Sequence, residues 1–270
     1  MITSWCRRTS SGGSCAVSSN NESVQKTVTV ALVLCLVCSV VVSAAAVLLR
    51  PVQAVNEKAN MQMNILQAAG LYDPSKSVQE QFEQVTTRLV NVETGEFVTD
   101  MDPDTYDQRK AAKTPEMHRV LSGDEDIASI KRQANVAKVY LIESGDSIDK
   151  IILPIHGYGL WSTLYGFMAL EGDANTVAGL GFYEHAETPG LGGEVDNPNW
   201  KAQWTGKKVY QEDDVAIRLV KGGADRSDAY GVDALSGATL TSRGVDNLLK
   251  FWLSDSGFKP FLDNVKQGRI

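Results

Sequence analysis

Thr27–Leu49 is a run of 23 residues without a charged side chain. As a helix it spans roughly 34 Å, enough to cross the hydrocarbon core of a bilayer with some tilt. Two readings compete for it. One is a retained membrane anchor. The other is a secretory signal peptide, with Ser43-Ala44-Ala45-Ala46 as small residues for cleavage. The run is longer than the ~7–15-residue apolar core of a signal peptide, which favours the anchor. Arg7, Arg8 and Lys26 precede it, and Arg50 and Lys58 follow it. That asymmetry leans slightly towards an inside N-terminus.

The anchor divides the charge. The chain carries −7 in total; Arg7, Arg8, Lys26 and Arg50 against Glu22 make residues 1–50 net +3, so residues 51–270 carry −10. An acidic body argues against a nucleic-acid surface. Residues 1–26 are rich in Ser, Asn and Gly and are expected to be disordered. All four cysteines, Cys6, Cys15, Cys35 and Cys38, precede Arg50, so the body has no disulfide framework. Cys35 and Cys38 share one face of the anchor helix, where packing is the simple reading and a metal site would need a partner chain.

At 270 residues the chain holds one large or two small domains. After the anchor, Val52–Ala69 reads as an amphipathic helix stopped by Gly70. Val78–Phe82 begins a short helix, and Thr86–Val98 reads as a hairpin turning near Thr94-Gly95. Asp100–Asp126 is polar, holds Pro103 and Pro115, and is expected to form loops with short helices. Its acidic clusters lack the spacing of a calcium loop and read as solvated surface. Strands are predicted over Val136–Ile142, Lys150–Ile155, Leu164–Leu170, Val177–Tyr183 and Val215–Val220. Short turns between the first four favour antiparallel pairing, with His156-Gly157-Tyr158-Gly159 taken as one turn. A short helix is expected near Asn199–Trp204 and a last one over Pro260–Gln267. The expected class is α+β: one transmembrane helix, then a mainly antiparallel sheet flanked by helices. The division reads as 1–26 tail, 27–49 span, 50–135 helical and hairpin membrane-proximal part, and 136–270 ligand-binding domain.

Asp233-Ala234-Leu235-Ser236-Gly237-Ala238-Thr239-Leu240-Thr241-Ser242 reads as a loop entering a helix. Leu240, Val245, Leu248, Leu249, Trp252 and Leu253 follow at helical spacing. Free N–H groups at such a start, with the helix dipole, favour an anion such as phosphate. Gly237 and Ala238 allow a bulky group close to the backbone. On these letters alone an ordinary helix cap is the favoured reading. Elsewhere, Gly157-Tyr158-Gly159 does not continue to G-x-G-x-x-G, and there is no P-loop lysine pattern. His118, His156 and His185 make no zinc spacing, and no serine sits in G-x-S-x-G.

The D-A-L-S-G-A-T-L-T-S string resembles the flavinylation motif of FMN-binding domains, in which the threonine of S-G-A-T carries FMN through a phosphoester. Gly157-Tyr158-Gly159-Leu160-Trp161 and His185-Ala186-Glu187-Thr188-Pro189-Gly190-Leu191-Gly192 are also similar to segments of that family. With the single anchor, the chain resembles, from about Val24 to its end, the C-subunit family of Na+-translocating NADH:quinone oxidoreductases. Members begin near Ser18 or Ser19, so the first stretch reads as an extension or a misassigned start. The resemblance implies covalent FMN on Thr239, with Trp161, Glu187, Thr188 and Leu191 at the isoalloxazine ring. It also implies Lys221 near ring or phosphate, and Ser236, Gly237 and Ala238 beside the phosphoester. Trp161 and the loop glycines have a plain structural reading as core aromatic and turn residues. No base adjoins Thr239 except Asp233, and an unaided threonine is a poor nucleophile. A separate flavin transferase using FAD and a divalent metal is therefore implied, with Asp233, Ser236, Gly237 and Ala238 as its recognition sequence. The implied role is an electron relay in a bacterial inner-membrane complex that oxidises NADH, reduces ubiquinone and pumps sodium. Other subunits would be partners and the main domain periplasmic. The alternatives are the equivalent polypeptide of a ferredoxin-dependent Rnf-type complex, or a membrane-tethered flavin-binding sensory module.

Overall fold

The computed structural model describes residues 23–145 and 147–270. The expectations for residues 1–22, with Cys6 and Cys15, and for Asp146 lie outside the described residues. The chain divides into two compact units between Ala54 and Val55.

Where two helices were expected, over Thr27–Leu49 and Val52–Ala69, one helix α1 covers Val24–Ala68, with Pro51 inside it. Proline removes a single i→i−4 hydrogen bond, and the helix-forming turns on both sides outweigh that loss. Its N-terminal part is long and apolar enough to cross a membrane. Val28, Leu32, Val33, Leu34 and Leu36, which point to different sides of the helix, are all exposed, so its apolar surface runs all round the helix. Cys35 and Cys38 are unpaired and exposed on it.

In the second unit, α2 is Val78–Phe82, capped by Ser77 as its side chain accepts from Glu80 N–H. Strand β1, Val85–Asn91, follows. The hairpin expected over Thr86–Val98 forms with a short second arm: Val98 N–H donates to the Leu89 carbonyl at 2.9 Å and Asn91 N–H to the Glu96 carbonyl at 3.0 Å, around the bridge Val90 to Phe97. On its other edge β1 pairs over its whole length with β4, from Val85 opposite Ile142 to Asn91 opposite Val136. The polar stretch contains α3, Gln108–Ala111, and a small ladder of β2, His118–Val120, with β3, Arg132–Ala134.

Strands β4, Val136–Ser144, β5, Ser147–Tyr158, β6, Thr163–Glu171, and β7, Val177–Glu184, complete a five-stranded sheet of order β1-β4-β5-β6-β7. Every pairing in it is antiparallel. His156, Gly157 and Tyr158 belong to β5 rather than to a turn, because their partners Tyr165, Leu164 and Thr163 continue the ladder. A 3₁₀ turn, Gly192–Asp196, and α4, Pro198–Ala202, follow. The strand expected over Val215–Val220 is split. β8, Tyr210–Gln211, pairs with β9, Asp214–Val215, while β10, Arg218–Val220, runs parallel to β11, Gly231–Asp233. Helices α5, Thr239–Trp252, and α6, Lys259–Lys266, end the chain.

The alternation of β5 assigns the two faces of the sheet. Leu153 and Ile155 join Val245, Leu248, Leu249 and Trp252 of α5 and Phe261 of α6 in the main core. Ile152 joins Tyr140, Phe167 and Ala169 in a second cluster, completed by Ile65, Leu66 and Ala68 at the end of α1. Helix α5 thus lies along β5, and its first residue is Thr239.

Candidate functional site

Helix α5 begins without a side-chain cap. Its N-cap residue is Ala238, and neither Ser236 nor Thr239 bonds the first turn. The ordinary-cap reading of S-G-A-T therefore has no support in the geometry. The first helical bond is from Ser242 N–H to the Ala238 carbonyl at 2.9 Å. This leaves the N–H groups of Thr239, Leu240 and Thr241 without an acceptor among the described residues, at the positive end of the helix dipole. The entry into the helix is fixed instead by Ser242, whose Oγ accepts from Leu235 N–H at 2.9 Å. Gly237, at φ 74°, makes the turn that Ser236 leads into. Ser236, Gly237 and Thr239 are exposed, and Ala238 is buried. The Thr239 hydroxyl makes no hydrogen bond among the described residues.

Two loops reach this helix start. The first, following Tyr158, carries Leu160 and Trp161; the second runs from His185 to Gly192. Ser162 Oγ accepts from Ala186 N–H at 2.7 Å and joins them. His185 folds the second loop on itself, as Nδ1 accepts from Glu187 N–H and Nε2 meets the Asp196 carboxylate at 2.9 Å. Glu187 is only 5% exposed. Its Oε1 accepts from the N–H groups of Leu160 and Trp161, each at 3.0 Å, and its Oε2 accepts from the buried Thr241 hydroxyl at 2.7 Å. One carboxylate thus ties both loops to the first turn of α5.

The glycines follow from this clamp. A Cβ on Gly159 would lie 2.5 Å from Glu187 Oε1, and one on Gly192 2.6 Å from Thr241 Oγ1. On Gly157 it would meet Leu248 Cβ at 2.6 Å, and on Gly244 the Tyr158 carbonyl oxygen at 2.5 Å. These residues allow α5 and the loops to approach one another. Gly244→Ala is therefore expected to cost about 1–3 kcal/mol by overpacking, although alanine is the better helix former. A urea unfolding midpoint unchanged or raised would count against this packing role.

Burial opposes ionisation of Glu187, but the Thr241 hydroxyl and the Trp161 and Leu160 N–H groups outweigh it and hold its pKa below the ordinary 4.5. A depressed carboxylate pKa gives stability that is complete above about pH 4.5 and is lost as pH falls through the folded-state value. Glu187→Gln, which has no such proton to take up, is expected to show a flatter loss of stability in that acid window. The check is a pair of unfolding midpoint series from pH 6 to about pH 3.

Of the expected ring contacts, Trp161 is 64% and Leu191 45% exposed; they stand with exposed Tyr158, Leu160 and Leu240 around the helix start. Leu191 reaches Gly237, where a Cβ would lie 3.1 Å from its Cδ2. Thr188 is exposed, and its carbonyl accepts from Leu191 and Gly193 N–H. Glu187 presents its carboxylate to backbone and Thr241. Lys221 is exposed directly after β10, where the Val220 carbonyl accepts from Ala234 N–H. Asp233 is anchored elsewhere: its Oδ1 accepts from Ala224 N–H at 2.6 Å and its carbonyl from Trp200 Nε1 at 2.8 Å. Three residues were missed in the sequence. Thr241 and Ser242 pin the helix start. Arg243, exposed and outside every ion pair among the described residues, follows Thr239 at i+4 on the same face. That spacing was the available signal for Arg243; no local pattern marks Thr241 as the partner of Glu187.

These features fit a flavin phosphate. The exposed hydroxyl and three free N–H groups suit the phosphoester, Arg243 supplies positive charge nearby, and the exposed apolar side chains suit one face of a flat ring. Comparison with known proteins agrees. The FMN-binding domain family matches residues 159–254. The chain is 52% identical over 257 residues to the C subunit of the Na(+)-translocating NADH-quinone reductase of Pseudomonas aeruginosa, covering 92% of this chain and 98% of that one. It is 50% identical to the Vibrio alginolyticus protein of the same name, covering 94% and 100%. Among solved structures, NqrC of Shewanella oneidensis superposes with a TM-score of 0.72 at 37% identity, over 78% of this chain and 99% of that one.

Proposed function

Because the chain belongs to the C-subunit family of Na(+)-translocating NADH-quinone reductases, we propose that it holds FMN as a phosphoester on Thr239 and serves as an electron relay between partner subunits. The observation that carries this reading is the unengaged, exposed Thr239 hydroxyl at an uncapped helix start, inside an exposed apolar rim. When bound, FMN supplies a centre that accepts and passes on electrons. The chain's residues hold it. Thr239, Leu240 and Thr241 N–H groups face the phosphate, Arg243 balances its charge, and Trp161, Leu191 and Leu240 border the ring. Thr188 and Lys221 are the remaining residues that we assign to the ring or phosphate, on the family resemblance. Glu187 acts as a positioning residue, since it fixes the Trp161 loop against α5.

Attachment joins Thr239 Oγ1 to the FMN phosphorus of FAD, breaks the pyrophosphate bond, and releases AMP with the hydroxyl proton. No carboxylate touches Thr239 Oγ1 among the described residues, so the base and divalent metal come from a flavin transferase that reads the exposed Ser236-Gly237 approach. The N-terminal part of α1 crosses the inner membrane, with the second unit on the periplasmic side and Arg7, Arg8 and Lys26 inside. A phosphoester there prevents loss of a cofactor that is not readily resupplied outside the cytoplasm. NADH oxidation, ubiquinone reduction and the sodium path belong to the other subunits.

The test is the intact mass of protein from a host that contains the transferase, with peptide mapping and in-gel fluorescence after denaturation. One FMN adduct on the Thr239 peptide is expected. An unmodified chain from that host would remove the proposal.

A further inference from the structure

Lys221 and Asp233 belong to one small device. Lys221 opens the turn Lys221-Gly222-Gly223 that follows β10, and Asp233 ends β11 directly opposite Val220. We propose that Asp233 is a positioning residue: together with Asp246 it fixes this turn, so that Lys221 is presented to the phosphoryl group that Thr239 receives. The inference rests on the flavin reading and deepens it. It gives the aspartate of the motif a task inside the fold, in place of a charge that the flavin transferase reads.

The first argument is where the turn sits. Thr239, Arg243 and Asp246 follow one another at i, i+4 and i+7, which puts them on one face of α5. Asp246 Oδ1 accepts from Leu219 N–H at 2.9 Å, so β10 lies along that face. Two successive N–H groups tie the end of β10 to the helix start. Ala234 N–H donates to the Val220 carbonyl at 3.0 Å, and Leu235 N–H donates to Ser242 Oγ, in the first turn of α5, at 2.9 Å. Lys221, the next residue of β10's chain, therefore stands beside the turn of α5 that bears the Thr239 hydroxyl. It is exposed, and its side chain has neither an ion-pair nor a hydrogen-bond partner among the described residues.

The second argument is how the turn is held. Gly222 and Gly223 take φ 89° and 104°, values that a residue with a Cβ rarely adopts. Carboxylates fix the chain on both sides of this bend. Before it, Leu219 N–H ends on Asp246; after it, Ala224 N–H donates to Asp233 Oδ1 at 2.6 Å. Neither carboxylate forms an ion pair with Lys221, and Asp246 pairs with Lys250 at 2.7 Å, so the Lys221 charge is left for an anion. The backbone of Asp233 is engaged as well: its N–H donates to Gln203 Oε1 at 3.1 Å, and its carbonyl accepts from Trp200 Nε1 at 2.8 Å. A residue held at these three points, with its carboxylate turned to the Lys221 turn, is a brace.

During attachment Thr239 Oγ1 bonds to the FMN phosphorus of FAD, the pyrophosphate P–O bond breaks, AMP leaves, and the hydroxyl proton passes to the transferase's base. Negative charge gathers on the phosphoryl oxygens and the leaving group, and a cation already in place stabilises it. Lys221, aimed by the braced turn, supplies that charge alongside Arg243.

The experiment is a flavinylation time course. The full chain, purified in detergent from a host that lacks the transferase, is mixed with purified flavin transferase, FAD and Mg2+, and covalent flavin is read as fluorescence of the denatured band. Lys221→Met and Asp233→Ala should each slow attachment at least about tenfold. Their double variant should be less than about threefold slower than the slower single one, because Asp233 acts through Lys221. Asp233→Asn, whose side-chain oxygen still accepts from Ala224 N–H, should keep at least about a third of the parent's rate. Gly223→Ala lies outside the motif and strains the turn; it should slow attachment at least about fivefold. Lys221→Met and Gly223→Ala change exposed residues, and their unfolding midpoints should stay near the parent's, so they carry the test even where Asp233→Ala lowers stability. The inference is overturned if Asp233→Asn is as slow as Asp233→Ala, which would show that the transferase reads the charge. It is also overturned if the effects of Lys221→Met and Asp233→Ala multiply, or if Lys221→Met or Gly223→Ala reacts at the parent's rate. A parent that takes up no flavin would remove the flavin reading itself, and this inference with it.

Discussion

Thr239→Val is expected to abolish covalent flavin completely while leaving the stability of the second unit within about 0.5 kcal/mol of the parent. The two effects separate because of where Thr239 stands. Its hydroxyl is exposed and makes no hydrogen bond among the described residues, so removing it leaves no buried group without a partner. It is the first residue of α5 but not its cap, so no capping energy is at stake. Valine keeps the β-branched shape and lacks only the nucleophilic oxygen. Fluorescence of the denatured band and the adduct mass should both vanish, and turnover of a complex assembled with this variant should fall to background. Normal flavin loading at full turnover would show that the attachment lies elsewhere. A large loss of stability would show that Thr239 has the structural role that the geometry denies it.

Glu187→Ala is expected to cost about 3–5 kcal/mol and to reduce flavin loading sharply, whereas Glu187→Gln should be nearly neutral for both at pH 7. Alanine leaves the Leu160 and Trp161 N–H groups and the buried Thr241 hydroxyl without their acceptor, at about 1–3 kcal/mol each when water does not replace it. It also opens a void between Gly159 and Gly192, which are shaped around the carboxylate. Glutamine has the same length. Its oxygen accepts from both N–H groups, and its NH₂ donates to Thr241 Oγ1, whose hydroxyl turns to accept. The pair of variants isolates hydrogen-bond geometry from charge. Chemical denaturation and flavin fluorescence would measure it. If glutamine failed as badly as alanine, the negative charge itself would be required, and Glu187 would have to act on the ligand and not through the scaffold.

The chain's local patterns were legible wherever one period repeated long enough. The uncharged run within α1, the four strands β4 to β7 and the amphipathic α5 all follow from spacing. The Thr86–Val98 hairpin formed with a shorter second arm than expected, and the turn at His156–Gly159 proved to be the end of β5. There a local turn signal competed with the ladder to β6, and the ladder satisfies more backbone groups. Gly157, Gly159 and Gly192 raised a similar ambiguity. Glycine signals close approach, but the sequence does not say of what.

The sequence by itself determined the apolar segment, the strand run, and a threonine at the start of an amphipathic helix after two small residues. Each depends on neighbours within a few positions, where period and steric preference act directly. The tertiary structure alone decided that Thr239 is uncapped and exposed, and that Glu187 turns inward. That carboxylate joins Trp161, 26 residues before it, to Thr241, 54 residues after it. Contacts over such separations arise when the sheet and α5 close on one another and exclude water from the groups between them. No local pattern carries that information, because the partners become neighbours only in the folded chain.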